Sequence, residues 1–91
     1  MSTLTRCLTI KNRLGLHARA AALLMQTASK FESDVKVSKD GQTVDGKSIL
    51  GLMMLAAAQG SEIGLAVTGA DADAALEAIT ELVERGFYED S

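Results

Sequence analysis

The chain has no proline, a single cysteine and few aromatic residues. Because Cys7 is alone, an intrachain disulfide and a cysteine-rich metal site are excluded. With aromatic residues at 3% of the chain, the core must be built from aliphatic side chains. No apolar run approaches the roughly 20 residues that cross a bilayer, and the N-terminus lacks the apolar stretch of a secretory signal. We therefore expect a soluble, cytoplasmic protein without membrane insertion.

Basic side chains are also few, and they are scattered. Nine Lys and Arg are outnumbered by twelve Asp and Glu, for a formal net charge of -3. Since neutralising nucleic-acid phosphates requires clustered basic groups, this charge pattern argues against a nucleic-acid partner. One histidine and dispersed carboxylates supply too few ligands for a metal and too few groups for a hydrolytic enzyme.

The apolar spacing predicts a single α+β domain over residues 1–91. Alternating apolar and polar side chains predict four strands, at 4–10, 34–39, 42–44 and 62–68. Spacings of three and four predict three helices, at 18–30, 49–58 and from 72 until Gly86. Because the strands alternate, we expect the helices to cover one sheet face and water to meet the other.

Short polar and glycine-containing segments mark the ends of these elements. Asp40-Gly41 predicts a hairpin, Ser48 is the expected N-cap of the second helix, and Gly60 the residue that closes it. The acidic tail, 89–91, is expected to fray. Cys7 is expected to be an inert residue on the solvent face of the first strand.

His17, the only histidine, is the candidate functional residue. It lies between a glycine-centred turn, 12–16, and the first helix, where unpaired N–H groups and the positive end of the helix dipole converge. An anion is stabilised there, and the same field disfavours a charged imidazole and leaves a ring nitrogen nucleophilic. Arg19 can place its guanidinium nearby. A nucleophile, backbone amides and a cation indicate an anion site suited to phosphoryl transfer.

Two segments carry the motifs of a known family. Residues 14–19, Leu-Gly-Leu-His-Ala-Arg, resemble the active-site motif of the HPr family, the phosphohistidine carriers of the bacterial phosphotransferase system. Residues 45–55, Asp-Gly-Lys-Ser-Ile-Leu-Gly-Leu-Met-Met-Leu, resemble that family's regulatory-serine segment. With the matching strand order, the similarity spans nearly the whole chain. It implies an open-faced β-sandwich of order βαββαβα, with a four-stranded antiparallel sheet and three helices on one face.

The resemblance also implies a function. An Enzyme I-type protein, charged from phosphoenolpyruvate, would phosphorylate His17 on Nδ1, and an EIIA-type acceptor would receive the phosphoryl group on a histidine. Arg19 and the backbone of Ala18 and Arg19 would hold the group. Such a carrier would be a monomer that is transiently phosphorylated, without being an enzyme or needing a cofactor or metal.

One position departs from the family pattern. The family usually has proline directly after the active-site arginine, where this chain has Ala20. Alanine preserves the helix but costs rigidity, roughly 0.5–1 kcal/mol through a more flexible unfolded chain. The rate of transfer is therefore in question. An alternative is a mainly regulatory binding protein that signals through Ser48, with carrier activity weakened by Ala20.

The second helix suggests two further roles. Ser48 is expected to cap this helix, which stabilises it by roughly 1 kcal/mol relative to alanine. The resemblance also implies that Ser48 is the target of an HPr kinase/phosphorylase. An exposed patch on this helix, formed by Ile49, Leu50 and Met53 with Lys47 and Arg19 at its edge, would dock partners. Residues 84–90 resemble the nitrogen-related paralogue NPr, whereas residues 46–49 resemble sugar-branch HPr, so the branch stays open.

Overall fold

The computed structural model describes residues 2–89 and has the predicted α+β fold. Its strands are β1 (Thr3–Thr9), β2 (Asp34–Lys39), β3 (Gln42–Asp45) and β4 (Glu62–Thr68). Its helices are α1 (Ala18–Ser29), α2 (Ile49–Met54) and α3 (Ala72–Glu84), and a short 3₁₀ turn, Gly86–Tyr88, follows α3. The predicted type and order of the four strands and three helices are confirmed.

The strands form one antiparallel sheet in the order β1-β4-β2-β3. In this register Val67 of β4 lies opposite Leu4 of β1 and Val35 of β2. Alternate residues of β4 are buried, including Ile63 and Val67, because only one face of the sheet is covered by helices. On the other face Cys7 is exposed, as predicted.

Helices α1 and α3 supply most of the helical part of the core. The predicted stripe of α3 is confirmed, with all five of its members buried: Ala72, Ala75, Leu76, Ile79 and Val83. On α1 the buried residues are Ala20, Ala21, Leu24 and Ala28. Phe87, in the turn after α3, is the aromatic residue of the core and is 1% exposed. Among residues 2–89, no helix is long and apolar enough to cross a membrane.

The second helix is shorter than the sequence predicts. It ends at Met54 rather than Ala58, and Ala56 takes a left-handed conformation with φ of 51°. The chain leaves the helix here because the Ala57 carbonyl accepts a hydrogen bond from the Leu16 N–H at 2.8 Å. The prediction that Gly60 closes the helix is therefore wrong. Gly60 instead donates its N–H to the Ile10 carbonyl, in the turn that enters β4.

The start of α3 is fastened to the loop that follows α1. Asp71 is the N-cap of α3 but makes no side-chain cap within that helix. Its carboxylate accepts hydrogen bonds from the N–H groups of Glu32 and Ser33, both at 2.9 Å, and from the Ser33 hydroxyl. These bonds, with the Ser33 hydroxyl first, lower the pKa of the Asp71 carboxyl. Asp71 thus joins two segments of the chain that are distant in sequence.

Candidate functional site

His17 is the N-cap residue of α1. Its backbone is extended, with φ of -78° and ψ of -179°, and its carbonyl accepts the N–H of Ala21 at 2.8 Å. The imidazole makes no capping hydrogen bond and is 28% exposed. The N–H groups of the first turn, including those of Ala18 and Arg19, have no carbonyl partner within the helix and converge at this end. The side chain therefore lies where an anion is stabilised, as the sequence predicts.

The loop before His17 is held by one glycine and one asparagine. Gly15 has φ of 67° and donates its N–H to the Asn12 carbonyl at 3.1 Å. The Asn12 amide returns a hydrogen bond to the Gly15 carbonyl at 2.7 Å. A Cβ atom on Gly15 would collide with the Ala57 carbonyl oxygen, so the close approach to this segment requires glycine. The loop presents His17 from a fixed backbone.

Glu89 is a member of the site that sequence reasoning missed. Its carboxylate accepts a hydrogen bond from the Asn12 amide at 3.0 Å and contacts Nε2 of His17. Its side chain is only 9% exposed, so Glu89 does not belong to a frayed tail; residues 90 and 91 lie outside the described residues. No local pattern could have shown this contact, because 72 positions separate Glu89 from His17.

The charge at Glu89 is stabilised by its neighbours. The hydrogen bond from Asn12 is the largest cause that lowers the pKa of the Glu89 carboxyl, followed by the hydrogen bond from His17 and the positive charge of Arg19. An ionised carboxylate can only accept hydrogen bonds. The contact with His17 is therefore a hydrogen bond in the form of the ring that carries a proton on Nε2.

Arg19 lies on the exposed side of the first turn of α1. Within residues 2–89 its guanidinium makes no hydrogen bond or ion pair. Its charge nevertheless acts on the Glu89 carboxyl beside His17. The side chain therefore lies close enough to influence the site, with its fork of N–H donors open to a further anion.

Ser48 is the N-cap of α2, as predicted. Its hydroxyl oxygen accepts a hydrogen bond from the Gly51 N–H at 3.0 Å, and its backbone is extended. The side chain is half-buried. This confirms the capping role, which satisfies one of the unpaired donors of the helix start.

The predicted docking patch is partly different in the structure. Leu50 and Met53 are exposed, but Ile49 packs against the core. Lys47 is not free at the edge, because its ammonium donates a hydrogen bond to the Phe31 carbonyl at 2.9 Å. Two residues that the sequence did not single out, Leu14 and Met54, are also exposed. We call the four exposed residues Leu14, Leu50, Met53 and Met54 the apolar rim.

Comparisons with known proteins identify the family of this chain. The family model described as PTS HPr component phosphorylation site matches residues 4–85. The phosphocarrier protein HPr of Xylella fastidiosa (strain Temecula1) is 50% identical over 92% of this chain and 94% of its own length. The phosphocarrier protein NPr of Shewanella violacea is 45% identical over the full length of both chains.

The fold has a close structural match as well. The crystal structure of HPr-C-His from Thermoanaerobacter tengcongensis superposes with a TM-score of 0.90, at 45% identity and over the whole of both chains. The family model and these relatives each cover the loop before His17, the first helix and the Ser48 segment. The chain therefore belongs to the HPr family of phosphocarrier proteins of the phosphotransferase system.

Proposed function

We propose that this protein carries a phosphoryl group on Nδ1 of His17, received from an Enzyme I-type protein that is charged from phosphoenolpyruvate. The group then passes to a histidine of an EIIA-type acceptor, and the carrier works as a monomer in the cytoplasm. The observation that carries the proposal is the position of the His17 imidazole, which is partly exposed at the N-terminus of α1.

Each neighbour of His17 has a part in this transfer. The imidazole is the nucleophile, and the N–H groups of Ala18 and Arg19 point to the place where phosphoryl oxygens would lie. The Arg19 guanidinium supplies positive charge and paired donors to the same oxygens. Because phosphoryl transfer depends mainly on position and charge stabilisation, these groups suffice for a carrier whose partners provide the other half of each site.

The apolar rim is the surface that we assign to partner docking. Leu14 lies on the loop before His17, and Leu50, Met53 and Met54 lie on α2, which contacts α1. Two of the four are methionines, whose flexible side chains adapt to different surfaces. A carrier must bind a donor and an acceptor in turn, and an adaptable apolar surface suits that task.

The carrier proposal is tested by labelling. The protein is incubated with an Enzyme I-type protein and labelled phosphoenolpyruvate, and we expect acid-labile label on the wild type. His17→Ala should take no label, whereas the matched control Lys11→Ala, at an exposed position before the loop, should label normally. Sugar-branch and nitrogen-related EIIA proteins, offered separately, show which branch discharges the carrier. A wild-type protein without label would overturn the proposal.

Ser48 is the site that we assign to regulation by an HPr kinase/phosphorylase. A phosphate there would lie at the start of α2, where the helix dipole tolerates negative charge, and next to Leu50 and Met53 of the apolar rim. It would change the charge of the docking surface without unfolding the domain. Incubation with such a kinase should give acid-stable label on the wild type and none on Ser48→Ala; label retained by Ser48→Ala would refute the assignment.

A further inference from the structure

The carboxylate of Glu89 engages one of the two nitrogens of the His17 ring. Nε2 contacts Glu89, whereas Nδ1 makes no hydrogen bond within residues 2–89. Among residues 2–89, Asn12 Oδ1 is the buried side-chain atom without a partner. Nδ1 of His17 is therefore not fully buried, and solvent or a partner can reach it. The two ring nitrogens therefore have different surroundings, and a hydrogen bond at one of them decides which carries the proton.

The backbone that brings Glu89 to the ring is unusual. Gly86, Phe87 and Tyr88 all have left-handed conformations, with φ of 62°, 57° and 59°. For residues other than glycine this conformation is costly, and it persists only where the surrounding structure holds it in place. Here the burial of Phe87 in the core holds it. The turn reverses the chain after α3 and directs the next residue, Glu89, towards the start of α1.

Asn12 orients the carboxylate. Its amide nitrogen donates to both the Gly15 carbonyl and Glu89, at 2.7 and 3.0 Å. Because both partners are acceptors, the amide cannot be reversed. The same side chain is 2% exposed, and its Oδ1 has no partner within residues 2–89. The two donated bonds therefore link the loop before His17 to the carboxylate of Glu89.

We propose that Glu89 is a positioning residue that holds the proton of His17 on Nε2 and so leaves Nδ1 as the nucleophile. This inference deepens the proposed carrier function and rests on it. It adds the residue that follows the turn after α3 to the site around His17, and it makes Asn12 the group that orients the carboxylate.

Phosphorylation of Nδ1 requires no proton transfer from the ring. The lone pair of Nδ1 attacks phosphorus, the N–P bond forms, and the bond between phosphorus and the donor's leaving atom breaks with its electron pair going to the donor. The Nε2 proton stays in place, so the ring gains positive charge as the bond forms. The carboxylate of Glu89, bonded to Nε2–H, stabilises that charge as an aspartate does for a protonated histidine in a catalytic triad.

The test measures the tautomer of His17 directly. Because the chain has one histidine, ¹⁵N-histidine labelling gives the two ring nitrogens of a single residue in an NMR spectrum of the neutral ring. We expect the wild type to hold the proton on Nε2. In Glu89→Ala the preference should fall about tenfold, and the initial rate of labelling by the Enzyme I-type protein should fall by a similar factor, about 1.4 kcal/mol.

Glu89→Gln makes a sharper variant. Since the Gly15 carbonyl keeps the NH2 group of Asn12 turned towards residue 89, the Gln oxygen must face Asn12 and the Gln amide N–H groups must face the ring. The ring nitrogen Nε2 must then accept, and the proton should move to Nδ1. Glu84→Gln, an exposed carboxylate at the end of α3, is the matched control and should leave both measurements unchanged.

The outcomes separate the two proposals. If the wild type takes no label, the carrier function fails while the tautomer measurement still reports on Glu89. If the wild type takes label and the Glu89 variants keep either its tautomer or its labelling rate, the positioning role is overturned. Thermal unfolding of each variant shows that the domain remains folded.

Discussion

Two carboxylates, Asp71 and Glu89, each join parts of the chain that are far apart in sequence. Both side chains accept hydrogen bonds, and in both the pKa of the carboxyl is lowered by those bonds. Asp71 receives two backbone N–H groups and a serine hydroxyl. Glu89 receives the Asn12 amide and contacts the ring of His17.

The difference lies in what each carboxylate holds. The partners of Asp71 cannot change their protonation near neutral pH, so its contacts fasten the loop after α1 and do no more. In the proposed transfer the partner of Glu89, His17, is the nucleophile and gains charge as it reacts, and the turn before Glu89 has left-handed backbone angles. Similar hydrogen bonds therefore join loop segments at Asp71, whereas at Glu89 we propose that they position His17.

The largest effect is expected when Phe87, the buried residue of the turn before Glu89, is truncated. Phe87→Ala empties a fully buried aromatic site and should lower the free energy of unfolding by about 3–5 kcal/mol. Denaturant unfolding measures this effect. The neighbouring Tyr88→Ala, at a side chain that is 62% exposed, is the control and should change stability little. Equal effects would show that Phe87 does not anchor the turn.

Acid unfolding sharpens the comparison at Asp71. The ordinary pKa of the carboxyl is 3.8 for Asp71 and 4.5 for Glu89, and folding lowers both. Each carboxyl therefore stabilises the fold at a pH above its ordinary pKa. That stability is lost as the pH falls through the lowered pKa. Asp71→Asn should therefore reduce stability at neutral pH and flatten its decline below about pH 4. Asp73→Asn, exposed in the first turn of α3, should keep the slope. An unchanged slope in Asp71→Asn would contradict the prediction.

Asn12→Ala removes the donor that orients Glu89. The variant leaves the Gly15 carbonyl without its side-chain donor, and we expect a loss of about 1–3 kcal/mol in the free energy of unfolding. Gln59→Ala is the matched control, because the Gln59 amide also donates to a backbone carbonyl, that of Lys11, but at an exposed position. Stability equal to the wild type in Asn12→Ala would mean that the unpaired Oδ1 offsets both donated bonds.

The smallest effect is expected at Ala20, on the same helix start as His17. Ala20→Pro restores the residue that the family usually has, in a first turn where the backbone N–H is not needed by the helix. The stiffer unfolded chain should raise the free energy of unfolding by about 0.4–1 kcal/mol. Because Ala20 is fully buried, this gain requires that the core has room for the proline ring. Thermal unfolding measures the change, and Ala22→Pro, two residues further into α1, should be strongly destabilising because the helix needs the N–H of that residue.

The apolar periodicity was sufficient for the sheet, α1 and α3. Alternation on β4 and the spacing of three and four on α3 reflect burial on one face, and burial is a property that the sequence carries locally. For α2 the predicted end, residue 58, lies four residues beyond the observed end at Met54. The competing demand was tertiary, because the Ala57 carbonyl is needed by Leu16 of the loop before His17.

The positions of His17, Arg19 and Ser48 at helix starts could be predicted from the sequence, since a helix start is recognised from a few neighbouring residues. The hydrogen bond from Lys47 to the Phe31 carbonyl and the contact of Glu89 with His17 follow from tertiary packing. These contacts join residues that the chain separates by 16 and 72 positions. Their partners are selected by how the helices pack on the sheet, and no local pattern of side chains records that choice.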